Sequence, residues 1–266
     1  MTDPAAEDDV VLVEQQGAVL HIGLNRPQKR NAANRAMLRA LSAAFTRLER
    51  DDALRCGLVW AVGDHFTGGL DLADVGPSLA SGTLDVRGAD GVDPWQVTGP
   101  ERTKPVVVAV QGTCYTLGVE LILACDVAVA AQSTRFGQIE VSRGILPFGG
   151  ATWRLPDAVG WGNAMRWLLT GDVFDADEAY RMGLVAQVVP DGIERRTAAE
   201  IAERIAEQAP LAVRATLANA RLARVAGARA AADALPQTLA GLARTADAAE
   251  GMRSFAERRP PRFTGR

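Results

Sequence analysis

Residues 104–130 read K-P-V-V-V-A-V-Q-G-T-C-Y-T-L-G-V-E-L-I-L-A-C-D-V-A-V-A. The apolar run 106–110, entered from Lys104-Pro105, has the unalternated pattern of a strand buried on both faces. Gly112 then turns the chain, a helix starts near Leu117-Gly118, and residues 126–130 form the next strand. Strand, turn, helix and strand in this order make an α/β unit. Inside it Glu120 stands alone, because every neighbour from Leu117 to Ala124 is uncharged. Burying a lone carboxylate is costly, so it needs a compensating partner or a chemical role.

The same alternation extends in both directions. Upstream, residues 10–13 and 18–24 read as a hairpin around Gln15-Gln16-Gly17, and Asn25-Arg26-Pro27 ends it. A helix is expected over 32–50, with Met37, Leu38, Leu41, Phe45 and Leu48 recurring at three and four. Residues 58–62 form a short buried strand. Downstream, a helix over 176–182 with Asp175 as its N-cap leads into a strand at 184–189. Strand signals stop after Pro190-Asp191-Gly192. The alanine-rich stretches 198–208, 211–225 and 233–248 are helical, and a basic, proline-broken tail covers 258–266. The chain therefore divides into a loose terminus (1–9), an α/β core (10–192) and a helical C-terminal region (193–266). The Gly-, Pro-, Ser- and Asp-rich stretch 76–100 reads as a long loop with one tryptophan, Trp95. It is either a cover for the site or a surface insertion.

Composition narrows the function. The 266 residues are 48% hydrophobic and 23% charged, which suits a globular chain with a sizeable core. A net charge of −3 and a pI near 5.5 argue against nucleic-acid and anionic-membrane partners. There is no apolar run long enough for a transmembrane helix, and the acidic start is unlike a signal peptide. Three scattered cysteines without C-x-x-C, and two histidines, speak against zinc and for a reduced, cytoplasmic compartment. His21, His65 and Cys114 read as structural, and Trp153, Trp161 and Trp167 as core residues.

Two turns could bind an anionic oxygen. One is F-T-G-G-L-D-L (66–72), where glycines let a ligand approach the backbone. The other is the start of the helix at Leu117, where amides are unpaired at the positive end of the helix dipole. Read alone, the first is better taken as a plain strand-to-helix turn, and Glu120 is equally a carboxylate favoured by the helix terminus. Glu140, after F-G-Q-I, reads by itself as a surface residue paired with Arg143.

Taken in order, N-R-P-Q-K-R-N-A (25–32), F-T-G-G-L-D-L, K-P-V-V-V-A-V-Q-G (104–112), A-C-D-V-A-V-A (124–130), F-G-Q-I-E (136–140) and A-T-W-R-L-P (151–156) resemble the crotonase superfamily, and within it the enoyl-CoA hydratases. The resemblance implies a spiral of ββα repeats with two roughly perpendicular sheets, and a C-terminal helical region that builds homotrimers or homohexamers. It implies an acyl-CoA thioester substrate, with coenzyme A arriving on the substrate and no metal or other cofactor. It also implies an oxyanion hole from the backbone N–H groups of Leu70 and Leu117, and Glu120 and Glu140 as catalytic carboxylates. The residues that match the family's substrate and CoA segments are Arg26, Gln28, Lys29, Gly68, Asp71, Leu72, Gly118, Phe148 and Phe263. The implied reaction is syn addition of water to a trans-2-enoyl-CoA. Alternatives are isomerisation, C–C cleavage, or acyl-CoA binding without catalysis. Three departures surround the acyl end. Thr116-Leu117-Gly118 replaces a triple glycine, Phe148 replaces a glycine, and 76–100 lacks the amphipathic helix common there.

Overall fold

The computed structural model of the protein describes residues 10–87 and 90–266, so the loose terminus expected over 1–9 lies outside the described residues. The elements in chain order are β1 (Val11–Gln16), β2 (Val19–Leu24), α1 (Arg35–Arg50), β3 (Cys56–Ala61), α2 (Leu72–Ala80), β4 (Val106–Val110), β5 (Thr113–Tyr115), α3 (Leu117–Ala124), β6 (Val127–Ala131) and β7 (Arg135–Gly137). They continue with α4 (Ala151–Val159), α5 (Trp161–Thr170), β8 (Val173–Asp175), α6 (Ala176–Arg181), β9 (Gln187–Val189), α7 (Glu194–Ala206), α8 (Pro210–Leu242) and α9 (Ala246–Ala256). Single 3₁₀ turns occupy Pro27–Lys29 and Glu140–Arg143. Among the described residues no helix is long and apolar enough to cross a membrane.

Six strands form one sheet in the order β1-β2-β3-β4-β6-β9, antiparallel at the β1–β2 edge and parallel elsewhere. Its inner strands β2, β3, β4 and β6 are buried on both faces, which is why they read as apolar runs, whereas the edge strand β1 is mostly exposed. In β4, Val106, Val108 and Val110 join the cluster that holds Met37, Leu41, Phe45 and Leu48 of α1. Val107 and Ala109 point the other way, onto Ala198, Ala202 and Ala206 of α7. Alanine at every fourth position gives α7 a flat stripe that lies close to the sheet. Helix α1 begins at Arg35, later than its apolar periodicity suggests. Ala33 is held in a parallel bridge with Leu70, and Asn34 caps the helix by accepting from the Met37 amide at 2.9 Å. Asp175 caps α6 in the same way, through the Glu178 amide.

A second sheet, in the order β5-β7-β8, has three residues per strand. Strands this short carry no legible alternation, and sequence reasoning missed all three. They nevertheless position the site. β5 runs directly into α3 and Glu120, and β7 ends three residues before Glu140. Their parallel register, Thr113↔Arg135, Cys114↔Phe136 and Tyr115↔Gly137, sends both segments the same way.

Two expectations need correction. Residues 76–80 belong to α2, and Val92, Asp93 and Trp95 are buried, so the 76–100 stretch is partly helical and partly packed into the core. Trp167 is buried against Phe174, but Trp153 and Trp161 are exposed, the latter at 71%. Residues 81–105 otherwise hold no helix or strand among those described. The C-terminal helices run together as α8, broken by non-helical Gly227. The basic tail is pinned to α9, with the Thr264 and Gly265 amides donating to Asp247 and Arg259 paired with Glu250.

Candidate active site

The site lies beyond the carboxyl ends of β3 and β4, where parallel sheets leave a crevice. The chain leaving β3 and the chain leaving β4 are laced together. Thr67 donates to the Thr113 carbonyl at 3.0 Å and accepts from the Tyr115 amide at 3.1 Å. Buried Asn31 ties the preceding loop to the same place, donating to the Val62 and His65 carbonyls at 2.9 and 2.8 Å. The Thr67 hydroxyl donates to the Asn31 carbonyl at 2.7 Å. His65 accepts from the Thr113 amide at 3.1 Å and is structural, as expected.

This lacing brings residues 68–70 against the start of α3. Gly69 has φ +104°, and a β-carbon there would overlap the Thr116 hydroxyl. Thr116 itself has φ +50° and ψ −113°, a conformation that L-residues rarely adopt, and its side chain does not cap α3. Leu70 and Leu117 both line a cleft of about 230 Å³ together with Gly68, Leu72, Glu120, Glu140 and Phe148. Among the described residues neither the Leu70 nor the Leu117 amide donates to a protein acceptor. Leu117 opens α3, so its free N–H carries the positive end of the helix dipole.

Glu120 is 1% exposed and Glu140 5%, which overturns the surface reading of Glu140. No ion pair joins Glu140 to Arg143 among the described residues. Glu120 Oε1 accepts from the Gly149 and Ala151 amides at 2.7 and 3.1 Å. Gly149 must be a glycine for this approach, because a β-carbon there would lie 2.5 Å from Glu120 Oε2. Glu120 Oε2 and Glu140 Oε2 have no hydrogen-bond partner in the protein. Burial pushes the Glu120 carboxyl up to about 7 against the opposing pull of the two amides and Arg154. Burial, with the charge of Glu120 added, pushes Glu140 up to about 7 as well. Both carboxyls are thus held above the ordinary carboxylate range, and the charge of Glu120 adds to the cost of ionising Glu140.

A family model described as enoyl-CoA hydratase/isomerase matches residues 14–266. The chain belongs to that family. It is 34% identical over 260 residues to enoyl-CoA hydratase EchA19 of Mycobacterium tuberculosis, covering 96% of each chain. It is 31% identical over 262 residues to the 1,2-epoxyphenylacetyl-CoA isomerase of Escherichia coli, covering 97% of this chain and 99% of the relative. The crystal structure of a probable enoyl-CoA hydratase/isomerase from Mycobacterium abscessus superposes with a TM-score of 0.94 at 47% identity, covering 97% of this chain and 100% of that one. The fold is that of the enoyl-CoA hydratases, with two sheets in a mixed α/β chain.

Other residues that match the family's substrate segments fall into three groups. Gly68, Leu72 and Phe148 line the cleft. Gly118 packs under it, where a β-carbon would meet Thr67 and Cys114. Arg26 and Asp71 are engaged with each other at 3.1 Å, fastening the 26–31 loop to the end of the 66–71 turn, while Gln28 and Lys29 are exposed beside it. Phe263 lies apart from the cleft. Its carbonyl accepts from Arg55 at 2.7 Å, and its ring lies beside Gly251. Sequence reasoning missed Gly149 and Ala151 as Glu120's hydrogen-bond donors, although the Gly149-Gly150 pair ahead of a helix was a usable signal. It also missed Asn31, whose part depends on contacts far along the chain.

The raised Glu120 carboxyl affects stability in a definite direction. Its folded value of about 7 lies above the ordinary 4.5, so the native state holds a proton that the unfolded state releases. Stability from this group is fully present below pH 4.5 and is lost as pH rises through 7. Glu120→Gln keeps the Oε1 acceptor and removes the buried charge. We expect the variant to be more stable than the parent at pH 8, by up to roughly 3 kcal/mol, with the gap closing by about pH 5. Denaturant unfolding at the two pH values measures it.

Proposed function

We propose that the protein is an enoyl-CoA hydratase that adds water syn across a trans-2-enoyl-CoA to give a 3-hydroxyacyl-CoA. The observation that carries this reading is the pair of buried carboxyls, each with a free oxygen, in a cleft that also holds two unpaired backbone amides. The thioester oxygen sits between the Leu70 and Leu117 amides, and these stabilise the enolate that forms as water adds. Glu120, oriented by Gly149 and Ala151, takes a proton from the attacking water. Glu140 delivers a proton to the α-carbon. Coenzyme A enters as part of the substrate, with Arg26, Gln28 and Lys29 along its nucleotide, and no metal or further cofactor takes part. The protein works in the cytoplasm as a homotrimer or homohexamer.

Turnover needs one carboxylate and one carboxylic acid. The kcat–pH profile on crotonyl-CoA is therefore expected to be bell-shaped about neutrality. It falls on the acid side as the base is protonated and on the alkaline side as the acid ionises. A flat profile between pH 5 and 9 would contradict this pairing of base and acid. A second reading, isomerisation, draws support from the similarity to the E. coli isomerase and from Phe148 at the cleft. An isomer as product, with no 3-hydroxyacyl-CoA, would favour it.

A further inference from the structure

The segment 93–98 touches both halves of the site, although it lies well before α3 in sequence. Asp93 is fully buried and organises the segment. Its carboxylate accepts from the Trp95, Val97 and Thr98 amides at 2.9, 2.9 and 3.0 Å. This seats Trp95 so that its indole N–H donates to the Leu117 carbonyl at 2.9 Å, in the first turn of α3. The carbonyls of Trp95 and Gln96 then accept from Arg154 of α4 at 2.7 and 2.6 Å. The same guanidinium donates to the Gly149 carbonyl at 3.2 Å. Gly149 is the residue whose amide holds Glu120. Gly150 is also fixed by this packing, since a β-carbon there would overlap Arg154.

Arg154 is half-buried and makes no ion pair among the described residues, so its hydrogen-bonded partners are backbone carbonyls. A planar fork that spans three carbonyls fits this arrangement, whereas a lysine would carry the charge without the fork. The charged groups that act on Arg154 are Asp93 and Glu120, with Arg221 and Arg224 of α8 opposing them. Those facing Glu120 are Arg154 from α4, and Glu140 and Arg143 across the cleft.

We infer that Trp95 and Arg154 are positioning residues: a clamp formed by segment 93–98 holds the oxyanion end of α3 with one arm and the Glu120-binding turn with the other. The inference rests on the hydratase reading for its kinetic consequence, but not for its geometry. Small displacements of positioning groups carry large rate effects, so loss of either arm lowers kcat rather than raising KM.

The test measures the Glu120 carboxyl directly. Its protonation is titrated by difference infrared spectroscopy in the ligand-free protein, assigned by the band that Glu120→Gln removes. Arg154→Met takes away the cation that acts on Glu120 and loosens the Gly149 turn. Both changes favour the neutral acid, so the midpoint rises by about one unit. Arg154→Lys restores the charge and brings the midpoint back towards the parent. On crotonyl-CoA, Arg154→Met lowers kcat by about 10- to 100-fold with KM within about threefold, and moves the acid limb of the pH profile upward. Trp95→Phe lowers kcat by about fivefold without moving the infrared midpoint. An Arg154→Met protein that melts earlier but keeps the parental midpoint overturns the inference. Should Arg154→Met not fold, an Arg154→Lys protein with parental kcat, despite the lost fork, beside a Trp95→Phe protein with parental kcat, overturns it too. A parent that hydrates no enoyl-CoA refutes the hydratase reading, and the infrared titration still decides the clamp.

Discussion

Glu120→Gln and Glu140→Gln are each expected to lower kcat on crotonyl-CoA by about 10²–10⁴, with KM little changed. The substitution preserves shape. In Glu120→Gln the amide oxygen can still accept from Gly149 and Ala151, so the side chain stays where it is. What is lost is the ability to take a proton. In Glu140→Gln the group proposed to protonate the α-carbon can no longer deliver a proton. Neither carboxyl belongs to the residues that match the CoA nucleotide segment, so binding persists. If the two act as a unit, as proposed, the double variant should be scarcely worse than the more damaged single variant. Steady-state kinetics on purified variants decides this, and parental kcat in either single variant would remove that glutamate from the mechanism.

The second large effect is expected at a residue without a side chain. Gly69→Ala places a methyl group against the Thr116 hydroxyl, at a backbone φ of +104°. The conformational strain alone costs about 1–3 kcal/mol of stability. The functional effect is larger, because the methyl wedges apart the two segments that supply the Leu70 and Leu117 amides. Losing one oxyanion donor lowers kcat by about 10²–10³. Thr116→Gly in the same chain removes the obstructing hydroxyl and suits the φ of +50° at that position. The double variant should therefore recover most of the lost rate. Melting temperature and kcat for the parent, the single and the double variant test the argument. An unchanged kcat in Gly69→Ala would show that the two amides do not act together.

Much of this architecture is legible in the chain, and what is illegible has physical causes. Strands buried on both faces write themselves as V-V-V-A-V, and α1 writes its core face at Met37, Leu41, Phe45 and Leu48. Glu120 stood out because a charge in an apolar helix needs a reason. Glu140 did not, because three-residue strands and a single 3₁₀ turn leave no periodic signal, and its burial comes from parallel pairing between β5 and β7. Only the ordered set of family motifs drew attention to it. Trp95 read as an isolated aromatic in a loop because its partner, the Leu117 carbonyl, is 22 residues away. Trp153 and Trp161 misled in the opposite sense. Their helices have apolar faces, but Leu155, Val159, Ala164 and Leu168 fill the core and leave the two indoles outside.

The central claim is that two buried glutamates and two free amides add water to an enoyl thioester. It is tested most directly by adding the protein to crotonyl-CoA in deuterium oxide. Loss of the conjugated enoyl-thioester absorbance is followed, and the product is identified by mass and NMR. A hydratase of this kind gives loss of absorbance, with 3-hydroxybutyryl-CoA carrying one deuterium at the α-carbon, placed syn to the new hydroxyl. Crotonyl-CoA that binds and stays intact, or a product whose double bond has moved without gaining a hydroxyl, would contradict the claim.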